Sequence, residues 1–180
     1  PEFRRSFSTP LLWSHDGTEE LVVGGSLAVR GYGVKDGRDL WSVRGAARVS
    51  NASPVAGDGL LFYSSWNVGG DEDGRVEMVP HEEFIAQYDR DKDGLLAADE
   101  FPPGPVQQRF SQIDADKDGR VTQQEYETMR GMFTSADNQL LAIRPGGRGE
   151  ITGSHVVWAM KKHLPYVSSP LLYQGRIFTM

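Results

Sequence analysis

The sequence predicts a mainly β chain of short antiparallel strands that carries a small α-helical insert. Three observations predict it. Short apolar runs are set off by Gly, Pro and Ser; a Ser/Thr-Pro motif recurs three times; and two acidic twelve-residue loops, 25 positions apart, fall between two of the recurrences. Short apolar runs bounded by turn residues read as strands. Acidic loops flanked by helical periodicity do not.

The recurring motif is Ser8-Thr9-Pro10-Leu11-Leu12, then Ala52-Ser53-Pro54-Val55-Ala56, then Ser168-Ser169-Pro170-Leu171-Leu172. Each copy leads into a turn: Asp16-Gly17, Gly57-Asp58-Gly59 and Gln174-Gly175. An apolar strand follows each turn: Leu21-Val22-Val23, Leu60-Leu61-Phe62-Tyr63 and Ile177-Phe178. Pro10 and Pro54 are 44 residues apart, while Pro54 and Pro170 are 116 apart, an excess of 72. A second landmark agrees, since Leu40-Trp41 and Val157-Trp158 lie 117 apart. Residues 71–137, 67 long and holding both acidic loops, account for nearly all of the excess. The second repeat is therefore expected to be an ordinary unit with the acidic segment spliced into it. A period near 44 with about four strands per unit is the signature of a β-propeller blade. The expected fold is a set of antiparallel four-stranded propeller blades, a partial propeller, with the helical segment inserted in one blade. Residues 1–70 would hold one blade and the first part of a second. Residues 71–137 would be the insert, and 138–180 the remainder of the second blade and the start of a third.

The first acidic loop runs from Asp89 to Glu100 and the second from Asp114 to Glu125. Both fit D-x-D-x-D-G-x5-E, the calcium loop of an EF-hand. Calcium is a hard cation that takes six to eight oxygens, and this spacing supplies them. Carboxylates at loop positions 1, 3 and 5, a backbone carbonyl at 7 and a bidentate Glu at 12 surround the ion, while Gly at 6 permits the sharp turn. The expected metal ligands are Asp89, Asp91, Asp93, the Leu95 carbonyl and Glu100 in the first loop. In the second they are Asp114, Asp116, Asp118, the Arg120 carbonyl, Thr122 and Glu125. Two calcium ions are expected. Ala97, at position 9 of the first loop, offers no side-chain oxygen, so a water is expected there; Thr122 can serve at that position in the second, which favours the second site. Leu96 and Val121, both at position 8, should face each other in a two-strand link that couples the sites.

Helical signals flank the loops. Pro80 is placed to open a helix over His81–Tyr88, with acids early in it to suit the helix dipole. Pro105 should open a second helix with Val106, Phe110 and Ile113, and a third should follow Glu125 with Tyr126, Met129 and Met132. Ile85/Tyr88 and Phe110/Ile113 are i, i+3 pairs on one face. Together with Tyr126 they form the expected core of the insert. The first hand departs from a full helix-loop-helix, because Phe101-Pro102-Pro103-Gly104-Pro105 follows Glu100 at once. The residue before a proline avoids helical geometry, so the exit helix is at most one turn. Sensor hands expose a groove by swinging their helices; a structural ion site is expected here instead.

Composition excludes several classes. The net charge of −6 hides a split, with 17 acids against 7 Lys and Arg in residues 71–137, and 8 against 12 in the remainder. The acid excess belongs to the ion sites, and no basic stripe suggests nucleic acid. With no cysteine, disulfides, zinc-thiolate sites and thiol nucleophiles are excluded in this stretch. No segment approaches the ~18 uninterrupted apolar residues of a membrane span. The four histidines, His15, His81, His155 and His163, show no ligand spacing and read as surface residues, at a helix start for His81 and at turns or strand edges for the others. No nucleophile motif is present, so neither catalytic nor organic-cofactor residues are expected. The chain opens Pro1-Glu2-Phe3, without an initiator Met or a signal peptide, and ends at Met180 in a strand-like run. It is expected to be part of a longer chain, whose remaining blades would complete the propeller.

The stretch Gly31-Tyr32-Gly33-Val34-Lys35-Asp36-Gly37-Arg38-Asp39-Leu40-Trp41 resembles the A-x-D-x-x-T-G-K-E-x-W motif of the pyrroloquinoline-quinone-like propeller repeat. It departs at Gly31, Gly33 and Asp36 and keeps the Gly37, Arg38, Asp39 and Trp41 frame. Residues 139–144 followed by Val156-Val157-Trp158 look like the same passage with a longer turn. The resemblance covers about residues 1–70 and 137–180, and the insert resembles bacterial paired EF-hands. It implies that Trp41 and Trp158 pack between blades. It also implies one of two kinds of protein: quinone-dependent dehydrogenases, or non-catalytic scaffolds such as the lipoprotein of the outer-membrane barrel assembly machinery. The adjacent cysteine pair of many quinone alcohol dehydrogenases is absent, and the calcium has loops of its own. Pyrroloquinoline quinone is therefore not expected to bind this stretch. The expected role is a periplasmic or extracellular binding scaffold that meets a protein partner through the propeller. The alternatives are a piece of a quinone-dependent oxidoreductase and a calcium-sensing interaction module.

Overall fold

Three turns of one type set the β architecture. Asp16-Gly17, Asp58-Gly59 and Gln174-Gly175 all hold positive φ at both central residues, +46° and +73°, +51° and +78°, and +48° and +70°. That is the type I′ geometry whose twist matches two antiparallel strands, and it favours Asn or Asp followed by Gly. Each turn closes a hairpin: Leu11–His15 (β1) with Thr18–Gly24 (β2), Val55–Gly57 (β5) with Leu60–Ser65 (β6), and Leu171–Tyr173 (β12) with Arg176–Phe178 (β13). The computed structural model describes residues 6–68, 70–71 and 74–180. The Pro1-Glu2-Phe3 opening, Gly69 just ahead of the expected insert, and Glu72 and Asp73 at its start lie outside them.

The chain divides into two compact units, Pro1–Asp73 with Ala136–Met180, and Gly74–Ser135. In the first, β1 and β2 continue into Ala28–Gly33 (β3) and Asp39–Arg44 (β4) as an antiparallel meander. Gly149–Glu150 (β10) joins this sheet parallel to β4, opposite Trp41 and Ser42. The sheet therefore has five strands, where the sequence leads one to expect four. The fifth is held by Ile151 N–H donating to the Ser42 carbonyl at 2.9 Å, and by Arg44 N–H donating to the Thr152 hydroxyl at 2.8 Å. The second sheet runs β5, β6, Gln139–Ile143 (β9) and Val156–Met160 (β11), all antiparallel. β6 and β9 are partners, with Ser65 opposite Gln139, although 73 residues separate them in the chain. Beyond this pair, Asn67 N–H donates to Asn138 Oδ1 at 2.8 Å and the Asn138 amide donates back to the Asn67 carbonyl at 2.9 Å. Among the described residues the sheets do not close into a propeller.

Alternation along the strands separates two cores. One face of β6 and β9 sends Leu61, Tyr63, Leu141 and Ile143 into a cluster with Trp13, Val22, Val29, Trp41 and Val43 of the first sheet. Their other face sends Phe62, Leu140 and Ala142 towards Leu172 and Ile177 of the β12–β13 hairpin. The period of 2 in a strand makes this two-sided use possible. Trp41 is 1% exposed and edge-on to Trp13, their centroids 6.2 Å apart. Gly31 faces Trp41 across the ladder, and a Cβ there would overlap the indole. This explains the departure from Ala at that position. Trp158 does not match the expected burial. It is 40% exposed, with its ring 6.0 Å from Phe62, because β11 is the outermost strand of its sheet.

Buried polar groups sit where surface residues were expected. Glu20 is fully buried and accepts from Trp41 Nε1 at 2.6 Å and from Arg148 Nη1 at 2.8 Å. His15, expected at the surface, is enclosed, its Nε2 3.4 Å from Glu20 and its ring 4.6 Å from Trp13. A buried carboxylate persists only when paired and hydrogen-bonded.

In the second unit, Pro80 precedes the helix His81–Tyr88 (α1). His81 is buried there rather than on the surface, its ring 5.5 Å from Tyr126. The second helix is shorter than expected, a 3-10 turn over Gln107–Arg109 and then Phe110–Ile113 (α2). The third is the longest, Gln123–Ser135 (α3). Leu96–Ala97 (β7) pairs with Arg120–Val121 (β8), and Leu96 faces Val121. The core is Phe84, Leu96, Phe101, Ile113, Val121, Tyr126, Met129 and Phe133, with Ile85, Tyr88 and Phe110 partly buried at its edge. The exit from the first hand is a 3-10 turn over Ala98–Glu100 that ends at Phe101, before the prolines.

Candidate metal centre

Both acidic loops fold by the same local rules. Position 4 takes a left-handed backbone (Lys92 φ +59°, Lys117 φ +65°), and so does the glycine at position 6 (Gly94 φ +83°, Gly119 φ +86°). These turns point backbone N–H groups at the loop's own carboxylates. In the first loop, Gly94 N–H donates to Asp89 Oδ2 at 3.1 Å, Asp93 N–H to Asp91 at 3.2 Å and Leu95 N–H to Asp93 at 2.8 Å. In the second, Gly119 N–H donates to Asp114 Oδ2 at 3.1 Å, Asp118 N–H to Asp116 at 3.2 Å and Arg120 N–H to Asp118 at 2.8 Å. These three bonds match because positions 1, 3, 5 and 6 match. The loops differ at the other oxygen of position 1, where Lys92 N–H donates to Asp89 Oδ1 at 2.7 Å and Asp114 Oδ1 accepts nothing among the described residues.

The closing glutamates fold back over their loops. Glu100 is buried and accepts from Arg90 N–H and Ala97 N–H, both at 2.8 Å. Glu125 accepts from Ala115 N–H at 2.8 Å and Thr122 N–H at 2.9 Å. The Thr122 hydroxyl also donates to Glu125, at 2.8 Å. Burial alone would raise the Glu125 carboxyl, but the hydrogen bonds from Thr122, Ala115 and Asp116 outweigh it. The group is held below the usual carboxylate range.

These contacts bring ligand atoms together. Carboxylate oxygens of Asp89, Asp91 and Asp93 lie within 4.8 Å of one another, and so do those of Asp114, Asp116 and Glu125. Asp118 and Glu100 stand outside those two groupings, each held by the backbone N–H bonds already described. Asp114 Oδ1 is buried and has no hydrogen-bond partner among the described residues. Buried carboxylate oxygens are ordinarily satisfied, and a divalent cation held at position 1 of the loop would supply the missing interaction. The donor set is all oxygen, which suits calcium and not a soft metal.

Sequence reasoning named Arg120 only for its carbonyl. Its guanidinium crosses the β7–β8 link to the first loop, donating to Asp93 and lying 3.7 Å from Asp91. The signal was present in the pattern: position 7 of one loop sits beside the other loop once position 8 pairs with position 8.

Compared with known families, residues 106–129 match the EF hand; that stretch covers the second loop and the helical segments around it. No curated protein and no solved structure matches the chain. The family match and the two acidic clusters together point to calcium binding.

Proposed function

We propose that the chain is the calcium-binding portion of an extracytoplasmic β-propeller scaffold, and that two calcium ions, one per loop, rigidify the helical unit. The observation that carries the calcium reading is the Asp114 carboxylate oxygen, buried without a partner among the described residues in a loop where the Asp116 and Glu125 carboxylates converge with it. The convergence of Asp89, Asp91 and Asp93 in the first loop, held by three backbone bonds that repeat those of the second, supports a second ion. A structural role fits the short elements: the exit from the first hand is a three-residue turn, and α1 has eight residues. Helices this short give little lever for a sensor's opening. The propeller reading rests on the repeat of about 44 residues and on its three type I′ hairpins. The partner bound through the β sheets is a protein, and the compartment is the periplasm or the cell exterior, where calcium is plentiful.

Titration calorimetry with calcium tests the ion sites. Two sites are expected, with dissociation constants between the sensor range, about 10⁻⁷–10⁻⁵ M, and that of extracellular modules, about 10⁻⁴–10⁻³ M. Fewer than two sites, or tighter binding of magnesium, sinks the proposal.

A further inference from the structure

Residues 75–79 run ahead of α1 without joining a helix or strand, and α3 holds them along its length. Arg130 Nε donates to the Met78 carbonyl at 3.0 Å, and the Tyr126 hydroxyl donates to the Val79 carbonyl at 3.1 Å. At the other end Arg75 Nη1 donates to the Thr134 carbonyl at 3.3 Å. Val76 and Met78 pack, half-buried, on the core of the helical unit. The segment is thus a strap laid across α3, fastened by polar side chains more than by close packing. Val79 is 45% exposed, and clefts of about 240 and 280 Å³ flank the strap, one beside Phe84 and Tyr88 and the other beside Phe133. Segments with few buried contacts are the first to open.

The residues that fasten the strap share a helix with an expected ligand of the second loop. Glu125, which closes that loop, stands in the first turn of α3. Tyr126 follows it directly, and Arg130 lies one turn beyond Tyr126 on the same face. Glu127 accepts from the His81 N–H at 2.7 Å, at the start of α1, and from Arg130 Nη1 at 3.0 Å. Arg130 is thereby aimed at the Met78 carbonyl. Burial, together with the Glu127 charge, pushes the Tyr126 phenol up to about 12, so its hydroxyl stays a donor. The backbone hydrogen bonds of the helix fix these positions relative to one another. A shift of Glu125 therefore carries both strap donors with it.

We propose that the strap reports the state of the second loop. Glu125, when it closes the loop on an ion, fixes the first turn of α3 and with it the two donors that fasten Met78 and Val79. When the loop is open, the strap loosens. The coupling is reciprocal, so a fastened strap also strengthens the second site. In the first loop the closing Glu100 lies in a three-residue 3-10 turn that supplies neither donor. This inference rests on the calcium reading of the second loop.

An arginine-specific protease applied to the full chain tests it. Cleavage after Arg75 needs the strap in the protease cleft, and fragment masses tell that cut from others. Calcium should slow the cut after Arg75 about tenfold, within the usual range of such couplings, and leave the cut after the exposed Arg38 unchanged. Tyr126→Phe and Arg130→Met should each keep the cut after Arg75 fast with calcium present. Calorimetry on the same variants should find the second site, the one that Glu125→Gln weakens, loosened about fivefold and the first nearly unchanged. Tyr126→Phe keeps the buried ring, so one variant retains the core if Arg130→Met disturbs the helix, and circular dichroism checks both. Parent calcium affinities in both variants overturn the proposal, and so does a cut after Arg75 that bound calcium leaves as fast as before. A parent chain that takes up no calcium removes the ion reading itself, and the strap's readout with it.

Discussion

Arg120, in the second calcium loop, donates its guanidinium to Asp93 of the first. The two loops are therefore linked by charge as well as by the Leu96–Val121 pair. Asp91 and Asp93 are expected ligands of the first ion, so the arginine opposes that ion directly. Arg120→Gln should tighten the first site and leave the second nearly unchanged. Half-exposed ion pairs contribute about 0.5–1 kcal/mol, which corresponds to about a two- to fivefold change in Kd. Calorimetry on the variant checks this, and an unaltered first site would show that the guanidinium swings away at no cost.

Glu100 and Glu125 close their loops through matching pairs of backbone N–H bonds. Glu100→Gln and Glu125→Gln should each weaken its own site by about ten- to hundredfold, as expected for losing a charge-assisted interaction. The neighbouring site should weaken less, through the β7–β8 link. Strictly independent sites in these variants would argue against coupling through Leu96 and Val121.

Gly31 and Trp41 face each other across β3 and β4, and the indole lies where a side chain at position 31 would stand. Gly31→Ala should displace Trp41 and disturb its bond to Glu20. Overpacking of this kind destabilises by about 1–3 kcal/mol, and a buried carboxylate stripped of a donor adds to it. Denaturant unfolding, followed by tryptophan fluorescence, measures the loss. A variant as stable as the parent would mean that the strand shifts freely.

The hairpins were legible because a two-residue turn between apolar runs leaves few alternatives to a type I′ connection. Both calcium loops were legible because ligand chemistry fixes residue type at each position. The β10 strand and the short helix Thr152–His155 (α4) were not. They hold no apolar run, and a sheet partner 108 positions distant is what orders them. The Glu20 cluster was equally hidden. A Glu in an alternating strand reads as solvent-facing, and its partners Trp41 and Arg148 lie 21 and 128 residues away. In the helical unit Phe84, Phe101 and Phe133 escaped notice for a related reason: in so small a core, loop and helix-end residues fill space that helix periodicity does not anticipate.

Tyr63 is buried against Ser50, its hydroxyl 2.5 Å from the serine oxygen. Burial pushes the phenol up to about 12, the Ser50 bond partly offsetting it. A pKa raised on folding favours the protonated form, so the linked stability is fully present below pH ~10, the ordinary tyrosine value. It is lost as pH rises from there through about 12. Alkaline unfolding should therefore begin above pH ~10, and Tyr63→Phe should shift its onset upward. An absorbance titration in which all six tyrosines ionise together near pH ~10 would contradict this.

Ser65 pairs with Gln139, and Asn67 and Asn138 exchange two hydrogen bonds just beyond. The chain thus leaves and re-enters the second sheet at neighbouring positions, the geometry that tolerates insertion. Asp71 belongs to this clamp, accepting from Trp66 Nε1 and the Asn138 amide at 3.0 Å each. Asp137 N–H donates to the Ala46 carbonyl. A deletion should accordingly spare residues 71 and 136–138 and replace only 74–135 with a short Gly-Ser turn. The β signal in circular dichroism should persist and calcium binding should vanish. Residues 74–135 made alone should fold with calcium around their own core. Ligation stabilises by mass action, by about 2.7 kcal/mol when calcium is 100 times its Kd, and a chelator should remove that increment as a drop in Tm. If the deletion instead abolishes the β signal, the helical unit is part of what holds the second sheet together, and the clamp at Asn67 and Asn138 is not sufficient to close it.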